Sequence, residues 1–221
     1  MRNKVKSFLI IGMGRFGHHI TRNLAEQGAE VMIVDTDQSK MEDLLPLVTS
    51  AKIGDCTNEE VLRTLGVANF DMCIVCIGTN FQSSLEITSL LKEMGAKCVV
   101  SKATRDIHAK FLLRNGADEV IYPDRDIAEK LAVRYSSDHL FDYIELSGDY
   151  AVYEIPVAAE WVGHSIKDLN FRRRYNVNIL GTKAGNGKTS LMPTADYVFE
   201  ENVHLLVVGT RADVQKILKK I

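Results

Sequence analysis

The sequence predicts a doubly wound parallel α/β sheet, then a linking helix and a small α+β lobe. Short β-branched runs alternate with amphipathic segments up to residue 123, four of the five helical segments stop at a glycine, and this grammar changes after residue 142.

The first strand is Ser7-Phe-Leu-Ile-Ile11, ending in glycines. Residues 15–27 form a helix with Phe16, Ile20 and Leu24 at i, i+4 and i+8 and Gly28 as its stop. Glu30–Val34 is the second strand, closed by Asp35, and a short helix over 38–45 ends at Pro46. Ala51–Ile53 gives a weak third strand, and the helix over 58–65 ends at Gly66. Met72–Ile77 is the fourth strand, followed by a helix over 80–94 that stops at Gly95. Lys97–Ser101 is the fifth strand and 105–114 a helix capped by Gly116; Glu119–Tyr122 is the sixth strand, ended by Pro123. Short connections with right-handed crossovers make these six strands one parallel sheet.

Residues 124–140 read as one more helix, whose imperfect stripe of Ile127, Leu131, Val133 and Tyr135 suits a bridge to another lobe or subunit. Tyr143–Leu146 and Ala151–Ile155 then flank the turn 147–149. A helix over 165–174 starts from Ser165 as N-cap, strands follow at 177–181 and 204–208, and 212–221 is a closing helix. The expected divisions are 1–123, 124–141 and 142–221.

The chain has 221 residues, 46% of them hydrophobic and 25% charged, which excludes a disordered, collagenous or disulfide-stapled protein. Residues 1–140 carry 17 basic and 19 acidic side chains and residues 141–221 carry 10 of each, so no basic face marks nucleic acid as a partner. The longest apolar runs, Phe8–Ile11 and Met72–Ile77, fall far short of the roughly 20 residues that span a bilayer. The expectation is a soluble cytoplasmic chain.

Cys73 and Cys76 have redox or metal spacing, yet they sit in one strand-like run where positions i and i+3 face opposite sides. With Cys56 and Cys98 they read as small buried hydrophobes. Gly185-Asn186-Gly187-Lys188-Thr189 imitates a phosphate loop, but Thr182 stands where that motif needs glycine, so the segment reads as a hairpin turn.

Gly12-Met-Gly14-Arg15-Phe16-Gly17 follows a strand and opens a helix, and Asp35 ends the next strand 23 residues after Gly12. Gly12 permits the tight turn, Gly14 lets a diphosphate approach the backbone, and Gly17 lets helix pack on strand. The helix N-terminus offers unpaired N–H groups to phosphate, while Asp35 accepts from ribose hydroxyls and repels a 2′-phosphate. Arg15 can swing over the phosphates, reaching a third phosphate or a neighbouring chain. Asp55, after the third strand, takes the adenine amino group or caps the next helix.

With this turn, Val34-Asp35, Gly54-Asp55-Cys56-Thr57, Cys76-Ile-Gly78-Thr-Asn80, Lys102-Ala-Thr and Tyr122-Pro-Asp124 occur in an order that resembles the RCK regulatory subunits of the Ktr/Trk potassium-uptake systems. The resemblance covers essentially the whole chain. It implies a Rossmann-like RCK N-terminal domain, a crossover helix that dimerises, and an RCK C-terminal lobe. It also implies a cytoplasmic regulatory subunit and not an enzyme, peripheral to the membrane through a potassium-translocating partner. Dimers assemble into a ring, typically an octamer, and ATP, ADP or NAD(H) changes the dimer hinge.

Carried over by position, the resemblance places Arg15 at the terminal phosphate, including across the dimer. Asp35, Thr36 and Asp37 fall at the ribose, Asp55 and Cys56 at adenine, and Ile77, Gly78 and Thr79 on the adenosine side. Lys102, Ala103, Thr104 and His108 fall near the phosphates. Asp124 stands where the family has an acid, usually Glu, that helps bind a divalent or monovalent cation at the dimer interface. Arg172, Asn178 and Pro193 match positions at which some members bind cyclic di-AMP, although Arg172-Arg-Arg174 also complements a helix dipole.

An NAD-dependent oxidoreductase shares the turn and Asp35, but no acid–base constellation, hydride-transfer motif or substrate domain accompanies them. An NAD(H)-sensing transcription regulator lacks a DNA-binding helix pair and a basic face. Asp35 suits the ribose of either ATP/ADP or NAD(H), and Arg15 leans toward ATP.

Overall fold

The apolar run Ser7–Ile11 forms β1, the strand around which the first part of the chain is laid. The computed structural model describes residues 5–135, 142–185 and 187–221 and divides the chain into two units, the first ending at Arg125 and the second running from Asp126 to Ile221.

In the first unit, β1 is followed by α1 (Arg15–Glu26), β2 (Glu30–Asp35), β3 (Ser50–Ile53), α2 (Glu59–Leu65) and β4 (Met72–Val75). Then come α3 (Phe81–Glu93), β5 (Val99–Lys102), α4 (Asp106–Arg114) and β6 (Glu119–Ile121). All pairings are parallel and the strand order is β3-β2-β1-β4-β5-β6. The order reverses between β1 and β4, and in open α/β sheets a ligand crevice forms outside the strand ends at that point.

Apolar cores cover both faces of the sheet. Leu9, Val34, Cys73 and Val99 pack on one side with Ile87 and Leu91 of α3, while Ile10, Ile33, Ile74 and Val100 pack on the other with Ile20 and Leu24 of α1. Cys73 and Cys76 therefore belong to opposite cores, as their spacing within a strand requires, and all four cysteines are free.

Two segments of this unit depart from expectation. Residues 38–45 form no α-helix: Asp37 caps a single 3-10 turn, Gln38–Lys40, by accepting from the Ser39 amide. Non-repetitive turns then plant Met41 and Leu44 in the core. Asp55 does not cap α2; it accepts from the amide and hydroxyl of Thr57, and Asn58 caps the helix by accepting from the Glu60 amide.

α5 (Pro123–Tyr135) leads into the second unit; residues 136–141, including the expected end of this helix, lie outside the described residues. The elements that follow are β7 (Asp142–Ser147), β8 (Tyr150–Pro156), α6 (Phe171–Tyr175), β9 (Asn178–Ala184), β10 (Thr189–Leu191), β11 (Val203–Thr210) and α7 (Arg211–Leu218). The strands form an antiparallel sheet of order β10-β9-β11-β8-β7. Among the described residues no helix is long and apolar enough to cross a membrane.

The helix expected over 165–174 is shorter than its sequence suggests. Asn170 adopts a left-handed conformation at φ 46°, so α6 starts only at Phe171. Ser165 closes a tight turn instead: its hydroxyl accepts from the Asp168 amide and donates to the Asp168 carboxylate. The core of this unit is aromatic, with Trp161 ringed by Phe171, Tyr175 and Phe199 and its indole N–H donating to the Tyr175 hydroxyl at 2.9 Å.

On the other side of β8, the buried Glu154 lies within 2.9 and 3.1 Å of Lys183 Nζ and 2.7 Å from His204 Nδ1. Burial alone pushes its carboxyl up, but the hydrogen bonds from Lys183 and His204 outweigh burial and hold it below the ordinary 4.5. A depressed carboxyl stabilises the fold fully above the unfolded-state value, and that stability is lost as pH falls through the folded-state value. Glu154→Gln should therefore destabilise the second unit by about 1–3 kcal/mol near pH 7. The deficit should shrink in acid. Trp161, the single tryptophan, reports this unit alone in denaturant titrations; an undiminished deficit near pH 3 would refute the ionic role.

Candidate functional site

The glycine-rich turn is built from three different uses of glycine. Gly12 sits at φ +95°, which side chains rarely adopt, and its N–H donates to Val34 O at 2.8 Å. A Cβ on Gly17 would lie 2.0 Å from the carbonyl oxygen of Gly12 and 3.2 Å from Cys76 Cβ, so only glycine lets α1 rest on the turn. Gly14 faces open space: nothing lies within 4 Å of a Cβ placed there. It is the N-cap of α1, whose first turn carries no capping side chain and no acid, leaving its amides available to an anion.

Asp35 holds this turn in place. Its Oδ2 accepts from the Met13 amide at 2.6 Å, and its Oδ1 accepts from the Asp37 amide at 2.9 Å, with the carboxylate buried. The acid is thus a structural clamp, and it also belongs to the wall of the cleft.

Turn, strand ends and loops enclose a cleft of about 560 Å³, within the range of small-molecule sites. Arg15 and Phe16 of α1, Asp35 and Thr36 after β2, and Gly54, Asp55 and Cys56 after β3 line one part of it. Ile77, Gly78 and Thr79 after β4, Lys102 and Thr104 at β5, and Asp124 line the rest. Lys102 Nζ lies 5.5 Å from the Phe16 ring centroid, and a Cβ on Gly78 would stand 3.0 Å from the Thr104 methyl group. The Thr57 amide and then its hydroxyl hold the Asp55 carboxyl below its usual range. Burial and then the Asp55 charge push the Cys56 thiol up to about 12, and burial does the same to Cys76, so neither sulfur serves as a thiolate near neutral pH.

Four expected residues do not line the cleft. Gly17 is consumed by helix packing, and Asp37 caps its own 3-10 turn. Ala103 is buried with Leu112 and Ala117, and His108 is turned into the packing of α3 on α4, its ring 4.9 Å from that of Phe81. His108 is buried with neither ring nitrogen hydrogen-bonded, and burial and then the Arg105 charge push its pKa down. Among the polar lining residues, Lys40, Asn80 and Ser83 carry no site role in the sequence reading, although Asn80 ends one of its motifs. Lys40 belongs to no motif, while Asn80 and Ser83 stand at the start of α3, where Asn80 accepts from the Ser83 amide. A second helix N-terminus therefore faces the same cleft.

In the second unit Arg172 is exposed on α6, Asn178 opens β9 and Pro193 follows β10. The imitation phosphate loop is a β9–β10 hairpin, with Gly187 at φ +82° and its amide donating to Ala184 O; Asn186 lies outside the described residues. Among the described residues no group of three or more His, Cys, Asp or Glu side chains forms a metal site.

The cleft fits an adenine nucleotide: the open amides at the start of α1 and the cations Arg15, Lys40 and Lys102 suit phosphates, while Asp35 and Asp55 suit hydroxyl and amino donors. Its lining holds no histidine, and burial keeps the Cys56 and Cys76 thiols protonated. Fold and site together define a protein with a Rossmann-type parallel sheet, a cleft at its switch point and an antiparallel second lobe. The chain belongs to the Ktr/Trk family of potassium-uptake proteins, matching the TrkA-N domain over residues 8–123 and the TrkA-C domain over residues 151–221.

Its relatives include the Ktr system potassium uptake proteins C and A of Bacillus subtilis. These are 38% and 36% identical, over 98% and 97% of this chain and 97% and 96% of theirs. They are named for potassium uptake and not for an enzymatic activity. In three dimensions the chain is similar to the GsuK channel bound to NAD, with a TM-score of 0.64 and 20% identity, covering 96% of this chain and 39% of that one.

Two substitutions probe this construction. Gly17→Ala forces a methyl onto backbone and should cost about 3 kcal/mol, read by far-UV circular dichroism in denaturant. His108→Leu should leave stability unchanged or raise it, because it removes two buried, unbonded nitrogens. A loss beyond about 1 kcal/mol would instead reveal a partner for the ring.

Proposed function

We propose that the chain is a cytoplasmic gating subunit of a potassium-uptake system, holding ATP or ADP in the first-unit cleft. The observation that carries this reading is a cleft built for phosphates and ribose but without acid–base machinery, in a chain that aligns end to end with Ktr proteins. Arg15 takes the terminal phosphate, Lys102 and Thr104 the other phosphates, and Asp35 with Thr36 the ribose. Asp55 and Cys56 border adenine, and Ile77 to Thr79 line the adenosine side. NAD(H) is the second reading, favoured by the fold shared with the GsuK channel bound to NAD.

Exposed apolar faces support self-assembly. Ile127, Leu131 and Tyr135 recur at helical spacing along α5 and are all exposed in the single chain, which suits a dimer through that helix. Ile107 and Phe111 form a second exposed apolar face on α4. Two distinct faces are what a ring of dimers requires, because one isologous contact closes at the dimer. A membrane potassium-translocating subunit then reads the ring's shape. A nucleotide switches the ring only by binding two hinge states unequally. Asp124 supplies one carboxylate at the cleft, so a cation held there takes its other ligands from the nucleotide or a second chain. Cyclic di-AMP in the second unit rests on Arg172, Asn178 and Pro193 alone.

Calorimetric titration with ATP, ADP, NADH, NAD and cyclic di-AMP tests the ligands, and hydrodynamic mass tests the ring. A lone monomer at working concentration, or no binding of any adenine nucleotide, would sink the proposal. Arg15→Ala should weaken ATP by about 1.5–3 kcal/mol and ADP much less; equal losses would remove Arg15 from the third phosphate.

A further inference from the structure

Lys40 lies outside every motif in the chain, yet it lines the cleft. Its ammonium stands 3.8 Å from Asp35 Oδ1 and 3.7 Å from Asp37 Oδ2, with the side chain about half exposed at 48%. The 3-10 turn that carries it is pinned on both sides. Asp37 caps its start, and Met41 and Leu44 anchor the residues after it in the core. Beyond them Asp43 is held to α1 by His18 at 2.7 Å and Arg22 at 3.3 Å. The base of Lys40 is therefore fixed while its tip is free to meet a ligand.

We propose that Lys40 is a specificity-determining residue that reads the ribose 2′-hydroxyl together with Asp35, an assignment that rests on the cleft being an adenine-nucleotide site. A carboxylate only accepts hydrogen bonds and an ammonium only donates them, whereas a hydroxyl does both. An acid and a lysine on one ribose oxygen satisfy its donor and its acceptor at once. Asp35 has already committed an acceptor site on each oxygen to the Met13 and Asp37 amides, and Lys40 adds beside it the donor that a carboxylate cannot supply. Lys40 also offsets one of two neighbouring negative charges, leaving the pocket receptive to a neutral hydroxyl. Asp35 and Asp37 together still outweigh it, so a 2′-phosphate is repelled.

The test is calorimetric titration of the full-length protein and its Lys40→Met and Lys40→Arg variants with ATP and 2′-deoxy-ATP, with melting temperatures recorded alongside. Wild type should prefer ATP by about tenfold or more, the value of a hydrogen bond to a charged group. Lys40→Met should weaken ATP about tenfold and 2′-deoxy-ATP less than about twofold, so that the preference collapses, while Lys40→Arg keeps most of it. Melting temperatures equal to wild type would show that the turn is intact. A Lys40→Met protein that keeps the wild-type preference, or that loses both ligands equally, overturns the assignment while the nucleotide site stands. Wild-type protein that binds neither ligand overturns the reading of the site, and the role of Lys40 with it.

Discussion

The amide of Met13 donates to the carboxylate of Asp35, 22 positions along the chain, and the nucleotide lobe is organised around that bond. It is short, buried and charge-assisted, the class of hydrogen bond that contributes most and costs most to leave unmade. By tying the glycine turn to the end of β2 it sets where α1 begins, and so where the open amides of that helix point. It also holds Asp35 itself, whose other oxygen anchors the loop leading to Lys40. The glycine turn and the loop after β2 are thereby kept in one register by a single side chain. Asp35 is for that reason a poor candidate for a clean ligand-deletion variant: its loss removes a fold contact together with the ribose contact proposed for it.

Around this bond the packing tolerates almost nothing. The seat of Gly17 is filled by the Gly12 carbonyl oxygen and Cys76, and Cys76 is in turn buried in the sheet core below. The hydrophobic sheet and the ligand cleft thus share atoms, with the wall of one forming the floor of the other. Such continuity lets a bound ligand bias the arrangement of elements beyond its own contacts, because close-packed interiors shift between discrete arrangements and do not yield smoothly. The second unit is held differently, by a cluster of rings around Trp161 and by the Glu154–Lys183–His204 group on the opposite side of β8. Neither depends on the cleft.

The parallel sheet is legible in the sequence because strands buried on both faces are continuous apolar runs, and because glycines at positive φ, such as Gly28, Gly66, Gly95 and Gly116, end the helices between them. Most of the cleft is legible for the same reason, since strand ends in a doubly wound sheet have a fixed relation to one another. What escapes is set by conformations that residue type does not announce. Asn170 in the left-handed region shortens α6, and the segment 38–45 has apolar residues at helical spacing but spends them as anchors for turns. His108 carries a polar side chain whose burial against Phe81 no local pattern signals. Lys40 becomes visible only when the path of its turn brings it beside Asp35 and Asp37.

Gating needs more than a site; it needs two states that the ligand distinguishes. A nucleotide held wholly within one rigid lobe would raise stability without shifting any equilibrium, however tightly it bound. Two placements in the cleft avoid that outcome. Arg15 stands at an exposed helix start, on a side chain long enough to follow a terminal phosphate or reach a neighbouring chain. Asp124 lines the cleft from the first turn of α5, the helix whose exposed Ile127, Leu131 and Tyr135 stripe suits a second copy. The cleft carboxylate and the exposed apolar stripe thus share a single helix, with only two residues between Asp124 and Ile127. On the proposed reading, a ligand that gains or loses a terminal phosphate changes the charge near Asp124, and the helix that bears the change is the one whose apolar stripe suits a second copy.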